Sequence, residues 1–286
     1  MENAGLHPKR PHAIRTIHTP HEQPEPLGRG DYGTVERSRI VTQLLREGDD
    51  GTWRVERERG HPDGFVTKTF HDTGAVEDAR KSVENFQMLK DAGVAHLPGT
   101  HRLSDTDPKV VISTLLGRDR LLITRNSVPD EPERPVEIDE SSLKTMIEAL
   151  DADLRRMSER KVGDHAEPIV LAHEDAIFFE LTMNGTRADS IDYVFGDFDN
   201  VAAVPNESSE DAFYHNVIQA TKALFWLMMS QRVIPGADPS NDNWARVASV
   251  IQTWAESHEV DAHEVYEQYH EEISRLIEEQ DENGGA

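Results

Sequence analysis

Gly28, Gly30 and Gly33, with Val35 two residues further on, make a Gly-x-Gly-x-x-Gly-x-Val string within residues 27–35. Glycine lets backbone N–H groups close on an anion with no Cβ in the way, so the string is suited to cradling phosphate. A dinucleotide-binding turn of similar spacing needs an apolar strand before it and a helix after it. Here residues 21–26 are polar and Pro-containing and residues 34–45 are strand-like, so that reading fails on both sides. A glycine-rich hairpin laid over phosphates fits, and a plain surface turn is its competitor. Further along, Lys68 sits among apolar neighbours in the β-branched and aromatic run 65–70, in a chain with only 8 lysines. Asp197 closes an apolar run in Val194-Phe195-Gly196-Asp197-Phe198-Asp199-Asn200, and a second carboxylate comes two residues later.

Several other chemistries are excluded. The chain has no cysteine, so disulfide scaffolds, Cys-ligated zinc, iron–sulfur centres and thiol catalysis all fall away. His258 and His263 are five residues apart, which is not the one-face spacing of a zinc-protease pair. There is no Gly-x-Ser-x-Gly string for a serine hydrolase. Acidic residues outnumber basic ones, 54 to 30, for a net charge of −24, which repels nucleic acid and anionic membranes. With no long apolar run and no signal-peptide core, the chain reads as soluble and cytoplasmic. The acidic excess with few lysines fits a salt-adapted proteome, in which salt screens the self-repulsion, and equally an ordinary acidic protein.

These residues need elements to carry them. Residues 1–26, with five prolines and four histidines, read as a disordered tail. Strand-like runs at 34–45 and 52–59 are joined by a turn at 48–51, and 65–70 is a third strand. A helix is predicted over 76–92, stopped by Gly93, with further strands at 110–115 and 121–125. The Pro-rich, charged stretch 126–139 reads as a linker. Beyond it a helix is predicted from Ser141 towards Val162, with Leu143, Ile147, Leu150, Leu154 and Met157 on one face. Short apolar runs around Asn184-Gly185 predict a hairpin, and the pattern is helical again from Asp211.

In this order, over roughly residues 27–230, the motifs resemble those of the protein-kinase-like superfamily. The resemblance implies an α+β fold: a bilobal protein-kinase-like arrangement with a small antiparallel-sheet N-lobe (27–125), a hinge (126–139), a mainly helical C-lobe (140–278) and a disordered acidic tail (279–286). It implies that Gly28, Gly30, Gly33 and Val35 cover a nucleotide. Phe65-Val66-Thr67-Lys68 resembles the family's Val-Ala-Ile-Lys strand, so Lys68 would reach the phosphates. Glu84, or else Glu77, would be the helix glutamate that pairs Lys68. Leu171-Ala172-His173-Glu174-Asp175 is similar to the His-Arg-Asp start of the catalytic loop, with Asp175 as base. The competing alignment puts the loop at Gly163-Asp164-His165. Asp197 would hold Mg²⁺, and Glu180, where the family has asparagine, would be a second oxygen ligand.

The resemblance thereby implies an ATP- and Mg²⁺-dependent phosphotransferase acting on a hydroxyl, foremost a protein Ser/Thr kinase. The alternatives are a small-molecule kinase of the aminoglycoside type, which the Asp-Phe-Asp variant at Asp197–Asp199 resembles, and a nucleotide-binding pseudokinase. The partners implied are ATP and a protein or small-molecule hydroxyl acceptor, with neither nucleic acid nor membrane.

Overall fold

The computed structural model of the protein describes residues 14–20, 25–30, 33–38, 40–47, 52–60, 65–71, 73–97, 100–102, 108–112, 120–123, 137–184, 187–229 and 242–271. Six strands come first: β1 (Ile14–Pro20), β2 (Glu25–Gly30), β3 (Gly33–Ser38), β4 (Ile40–Glu47), β5 (Trp53–Gly60) and β6 (Phe65–Phe70). They lead into the helix α1 (Ala75–Ala92), after which come β7 (Thr100–Arg102), β8 (Lys109–Ile112), β9 (Arg120–Ile123) and β10 (Glu137–Ile138). The helix α2 (Glu140–Ser158) is followed by β11 (Lys161–Val162), β12 (His165–Ala166), β13 (Ile169–Leu171), β14 (Ile177–Asn184), β15 (Arg187–Phe195) and β16 (Val201–Ala203). Then come α3 (Ser209–Met229), α4 (Asp242–Glu256) and a helical segment over 262–271.

The fold is α+β, with small antiparallel sheets and several helices. A five-stranded antiparallel sheet runs in the order β2-β3-β6-β8-β7, and α1 is inserted after the strand that carries Lys68. A four-stranded sheet, β10-β15-β14-β9, and the helices α2, α3 and α4 come next. Every described element before α1 is a strand, and the helices α2, α3 and α4 come after β10, with the strands β11–β16 between α2 and α3.

Side-chain periodicity explains the helices. In α1 the residues Ala79, Ser82, Phe86 and Leu89 recur at three- and four-residue spacing and are buried, and Gly93 ends the helix in the left-handed conformation (φ 69°). In α2 the Asp139 carboxylate accepts from the Ser142 N–H at 3.2 Å as an N-cap, and Leu143, Ile147, Leu150, Leu154 and Met157 are all buried. Ser208 caps α3, its hydroxyl oxygen accepting from the Asp211 N–H at 3.0 Å. One apolar core joins Phe86 and Leu89 of α1, Leu150 of α2, Phe179 and Phe195 of the central hairpin, Leu224 of α3 and Ile251 of α4. The two halves of the chain thus share one interior.

Two local expectations are corrected. Ile14–Pro20, read as disordered tail, is strand: Ile14, Thr16, Ile17 and Thr19 are β-branched, and the segment pairs antiparallel with β4 in a sheet β1-β4-β5. Pro20 is tolerated because it ends the strand. The helix expected to run towards Val162 stops at Ser158, since Lys161–Val162 and His165–Ala166 pair as a small hairpin turned by Gly163 at φ 62°. Residues 1–13, 126–136 of the expected linker and the 279–286 tail lie outside the described residues. Among the described residues, no helix is long and apolar enough to cross a membrane.

Candidate functional site

The glycine string forms a hairpin. Gly28 pairs with Val35 and Gly30 with Gly33, and β3 then pairs with β6 so that Val35 stands opposite Lys68. Gly33 is required by close approach of backbone, because a Cβ there would lie 2.5 Å from the Thr69 carbonyl oxygen of β6. The register therefore sets Lys68 one strand in from the glycine hairpin. Val110 of β8 is its neighbour on the other side.

Two short turns from the second half of the chain meet beside it. The strands β14 and β15 pair from Ile177 opposite Phe195, and β13 pairs with β16 from Leu171 opposite Val201. The turns that join these two pairs, residues 172–176 and 196–200, are consequently held side by side. The Gly196 N–H donates to the Ala176 carbonyl at 2.9 Å and the Ala172 N–H to the Asn200 carbonyl at 2.8 Å. Asp175 and Asp197, which flank the β14–β15 hairpin, are brought to adjacent turns by this pairing. Asn216 of α3, fully buried, secures the arrangement by accepting from the Leu171 N–H at 2.8 Å and donating to the Ile169 carbonyl at 2.9 Å.

Lys68 reaches across to the second turn. Its ammonium donates to Asp197 Oδ1 at 2.7 Å and to Asp199 Oδ2 at 2.5 Å, and its side chain is 16% exposed. Burial alone would lower the Lys68 pKa, but the charges of Asp197 and Asp199 outweigh it and hold it above the ordinary lysine value. Burial also holds Asp199 above the usual carboxylate range, against the opposing pull of Lys68. The carboxylates are about a quarter exposed, so solvent and small ligands reach them. Asp197 also accepts from the Asn200 side chain, at 3.3 Å.

Helix α1 contributes differently from expectation. Glu84 and its rival Glu77 both pair with Arg80 on the exposed face of α1, and neither is the partner of Lys68. The reason is helical phase: at about 100° per residue, Glu84 stands roughly 200° around from the buried Ser82. The residues that α1 turns inward are Ser82, whose buried hydroxyl favours the charged Asp199 carboxylate, and Asn85, whose amide donates at 2.7 Å to both the Phe198 and Val201 carbonyls. Phe86 packs edge-on against Phe198 at 5.5 Å between ring centroids.

Glu180 is likewise not brought to the site. It lies mid-strand in β14, opposite Asp192 and Leu122, three residues beyond the Ile177–Phe195 pair and so about 10 Å along the strand. The turn from Asp175 into β14 is too short to carry a ligand five residues on back towards Asp197. Asp164, the alternative base, is exposed in the turn of the β11–β12 hairpin.

His173, Glu174 and Asp175 form a compact ion cluster, their ligand atoms within 4.8 Å of one another. Glu174 is buried, and its Oε2 lies 2.9 Å from His173 Nδ1, which is also 3.5 Å from Asp175 Oδ2. Hydrogen bonds to the Asp175 and Glu174 carboxylates push the His173 pKa up to about 9, so the cluster carries its own cation. A divalent ion at these three residues would have to displace that proton. Because folding raises the His173 pKa above its ordinary 6.5, the stabilisation is complete below about pH 6.5 and is lost as pH rises through about 9. Thermal unfolding of the wild type and of His173→Gln should differ most near pH 6 and converge above about pH 9. A gap that stays constant with pH would show that no imidazolium forms.

The donor set offered by the Asp197 turn is made of hard carboxylate oxygens on Asp197 and Asp199, the type that Mg²⁺ takes. Sequence reasoning reads Asp199 only as part of an Asp-Phe-Asp variant and misses its pairing with Lys68; Ser82 and Asn85 give no signal at all, being ordinary polar residues in a helix.

No protein-family model matches the chain, and no curated protein matches it either. Among solved structures it is similar to the ADP-bound aminoglycoside phosphotransferase APH(2'')-Ib, with 9% sequence identity and a TM-score of 0.38, over 82% of this chain and 94% of that one. At that identity and score the likeness assigns neither a substrate nor a role to any residue of this chain.

Proposed function

We propose that the protein is an ATP-dependent phosphotransferase that moves the γ-phosphoryl group to a hydroxyl. The observation that carries this reading is the meeting of Lys68 with Asp197 and Asp199, 2.7 and 2.5 Å apart, one strand in from the glycine hairpin Gly28–Gly33. An ammonium, a pair of carboxylates and a glycine-edged backbone are what a polyphosphate and its counter-ion need, and phosphoryl transfer asks a protein chiefly for positioning and charge neutralisation. Backbone N–H groups of the hairpin bind phosphate oxygens, and Lys68 neutralises them. Asp197 is the residue that would hold Mg²⁺, which when bound would spread the charge developing on the phosphates. Asp175 accepts the proton of the attacking hydroxyl, and the protonated His173 with Glu174 fixes its orientation.

For the acceptor, a small hydroxylated molecule is favoured over a protein serine or threonine. The chain leaves Asp197 through a short turn into β16, which pairs back onto β13, and α3 begins at Ser209. That leaves little segment on which an extended peptide could lie. The test is incubation of purified protein with γ-labelled ATP and Mg²⁺, with a generic protein substrate in one arm and a panel of aminoglycosides and polyols in the other. Label is expected in the small-molecule arm. Label in protein would reassign the acceptor, ATP binding without turnover would support a pseudokinase, and no ATP binding would overturn the proposal.

A further inference from the structure

We infer that Asp199 is the fixed counter-ion of Lys68, and that it positions this ammonium in the task expected of a helix glutamate; this rests on the proposed nucleotide site and deepens it. Lys68 has two carboxylate partners, and both come from one turn, residues 197–199. One partner, Asp197, is needed elsewhere once a cation and phosphates are present. The other, Asp199, sits in a turn tied from behind: Asn85 of α1 grips the backbone on either side through the Phe198 and Val201 carbonyls at 2.7 Å, and the buried Ser82 hydroxyl favours the charged Asp199 carboxylate. Asn85 is 7% exposed, so its amide has little freedom to let go. Among the described residues, Asp197 has only the Asn200 amide, at 3.3 Å, beside its bond to Lys68. The better anchored carboxylate therefore keeps Lys68 in place while the other turns to a ligand.

The chain of support is rearranged as a result. Where Glu84 would have coupled the lysine directly to α1, the coupling here runs from α1 through Ser82 and Asn85 to the 197–201 turn, and from Asp199 to Lys68. Glu84 stays on the outer face with Arg80. Asp199 is thus a positioning residue, acting on phosphate through Lys68.

Two double-mutant cycles test this. In the nucleotide-free protein, urea unfolding of Lys68→Met, Asp199→Asn and the double variant should give a combined loss clearly smaller than the sum of the single losses, since Lys68→Met strands the Asp199 carboxylate and Asp199→Asn leaves Lys68 with Asp197 alone. The corresponding cycle with Glu84→Gln should be additive. In the second cycle, calorimetric binding of ATP at saturating Mg²⁺ should weaken about tenfold in Asp199→Asn and by about twofold or less in Glu84→Gln. In the Lys68→Met background, Asp199→Asn should add no further loss, because nothing remains for it to position.

Multiplying losses in that background would mean that Asp199 serves as a metal ligand or loop element, and would overturn the inference. Coupling of Lys68 to Glu84 in place of Asp199 would overturn it as well. Should Asp199→Asn fail to fold, Ser82→Ala carries the test, with a loss of about threefold that vanishes in Lys68→Met. A wild type that binds no ATP would overturn the proposed function and the phosphate-positioning role together, while the urea cycle would still decide whether Asp199 is the counter-ion.

Discussion

Lys68→Met is expected to lower phosphoryl transfer by at least about 100-fold, the scale of removing one preorganised charge from a developing anion, while the chain stays folded. Lys68 is the cation that faces the glycine hairpin from β6, and methionine keeps the length of the side chain without its charge. The substitution leaves Asp197 and Asp199 close together without their shared ammonium, so some loss of stability accompanies the loss of rate. Lys68→Arg separates the two effects, because it keeps the charge: it should unfold close to the wild type while transferring phosphate poorly, for want of the compact ammonium geometry. Circular dichroism and turnover measured on the same preparations check this. Near-normal turnover in a folded Lys68→Met protein would refute the role given to Lys68. Asp175→Asn should likewise lose rate by orders of magnitude, whereas Asp164→Asn, in the exposed β11–β12 turn, should not.

Asp197→Asn should weaken binding of Mg·ATP by about tenfold or more and leave binding of metal-free ATP unchanged or somewhat tighter. Without metal, the Asp197 carboxylate faces the phosphates as a like charge, and removing it relieves repulsion. With metal, the same carboxylate supplies a hard oxygen that an amide replaces poorly. Calorimetric titrations with Mg²⁺ and with a chelator give both numbers. Equal weakening under both conditions would mean that Asp197 acts on the nucleotide by a route other than a metal. Glu180→Asn, which changes a residue about 10 Å along β14 from the turn, should alter neither.

The glycine hairpin and the strand bearing Lys68 were legible because they rest on local chemistry. The spacing of Gly28, Gly30 and Gly33 is a local pattern, although the contact that demands Gly33 comes from Thr69 of β6, and 65–70 is rich in β-branched and aromatic residues whatever lies around it. Helix α1 was legible almost to its ends for the same reason: an apolar period of three and four residues, and a glycine to close it. Its phase towards the cleft was not. Glu77 and Glu84 are as well placed in the sequence as any acidic residue to meet a lysine, and only the packing of Ser82, Phe86 and Leu89 into the interior turned them outward to Arg80.

Ile14–Pro20 marks the same boundary from the other side. Its Pro-rich, His-rich context gave no sign of order, and a strand becomes one only when β4 supplies the other half of its hydrogen bonds. By itself, the sequence determined the kinds of elements, their order, and the residue types that could handle phosphate, since these depend on neighbours a few positions away. Tertiary structure alone decided that the turns of Asp175 and Asp197 lie together, that Glu180 does not join them, and that Asp199 shares Lys68. Those outcomes depend on strand register and helix phase, in the last case across a separation of 131 residues, and a shift of one residue in a strand exchanges every side chain between faces.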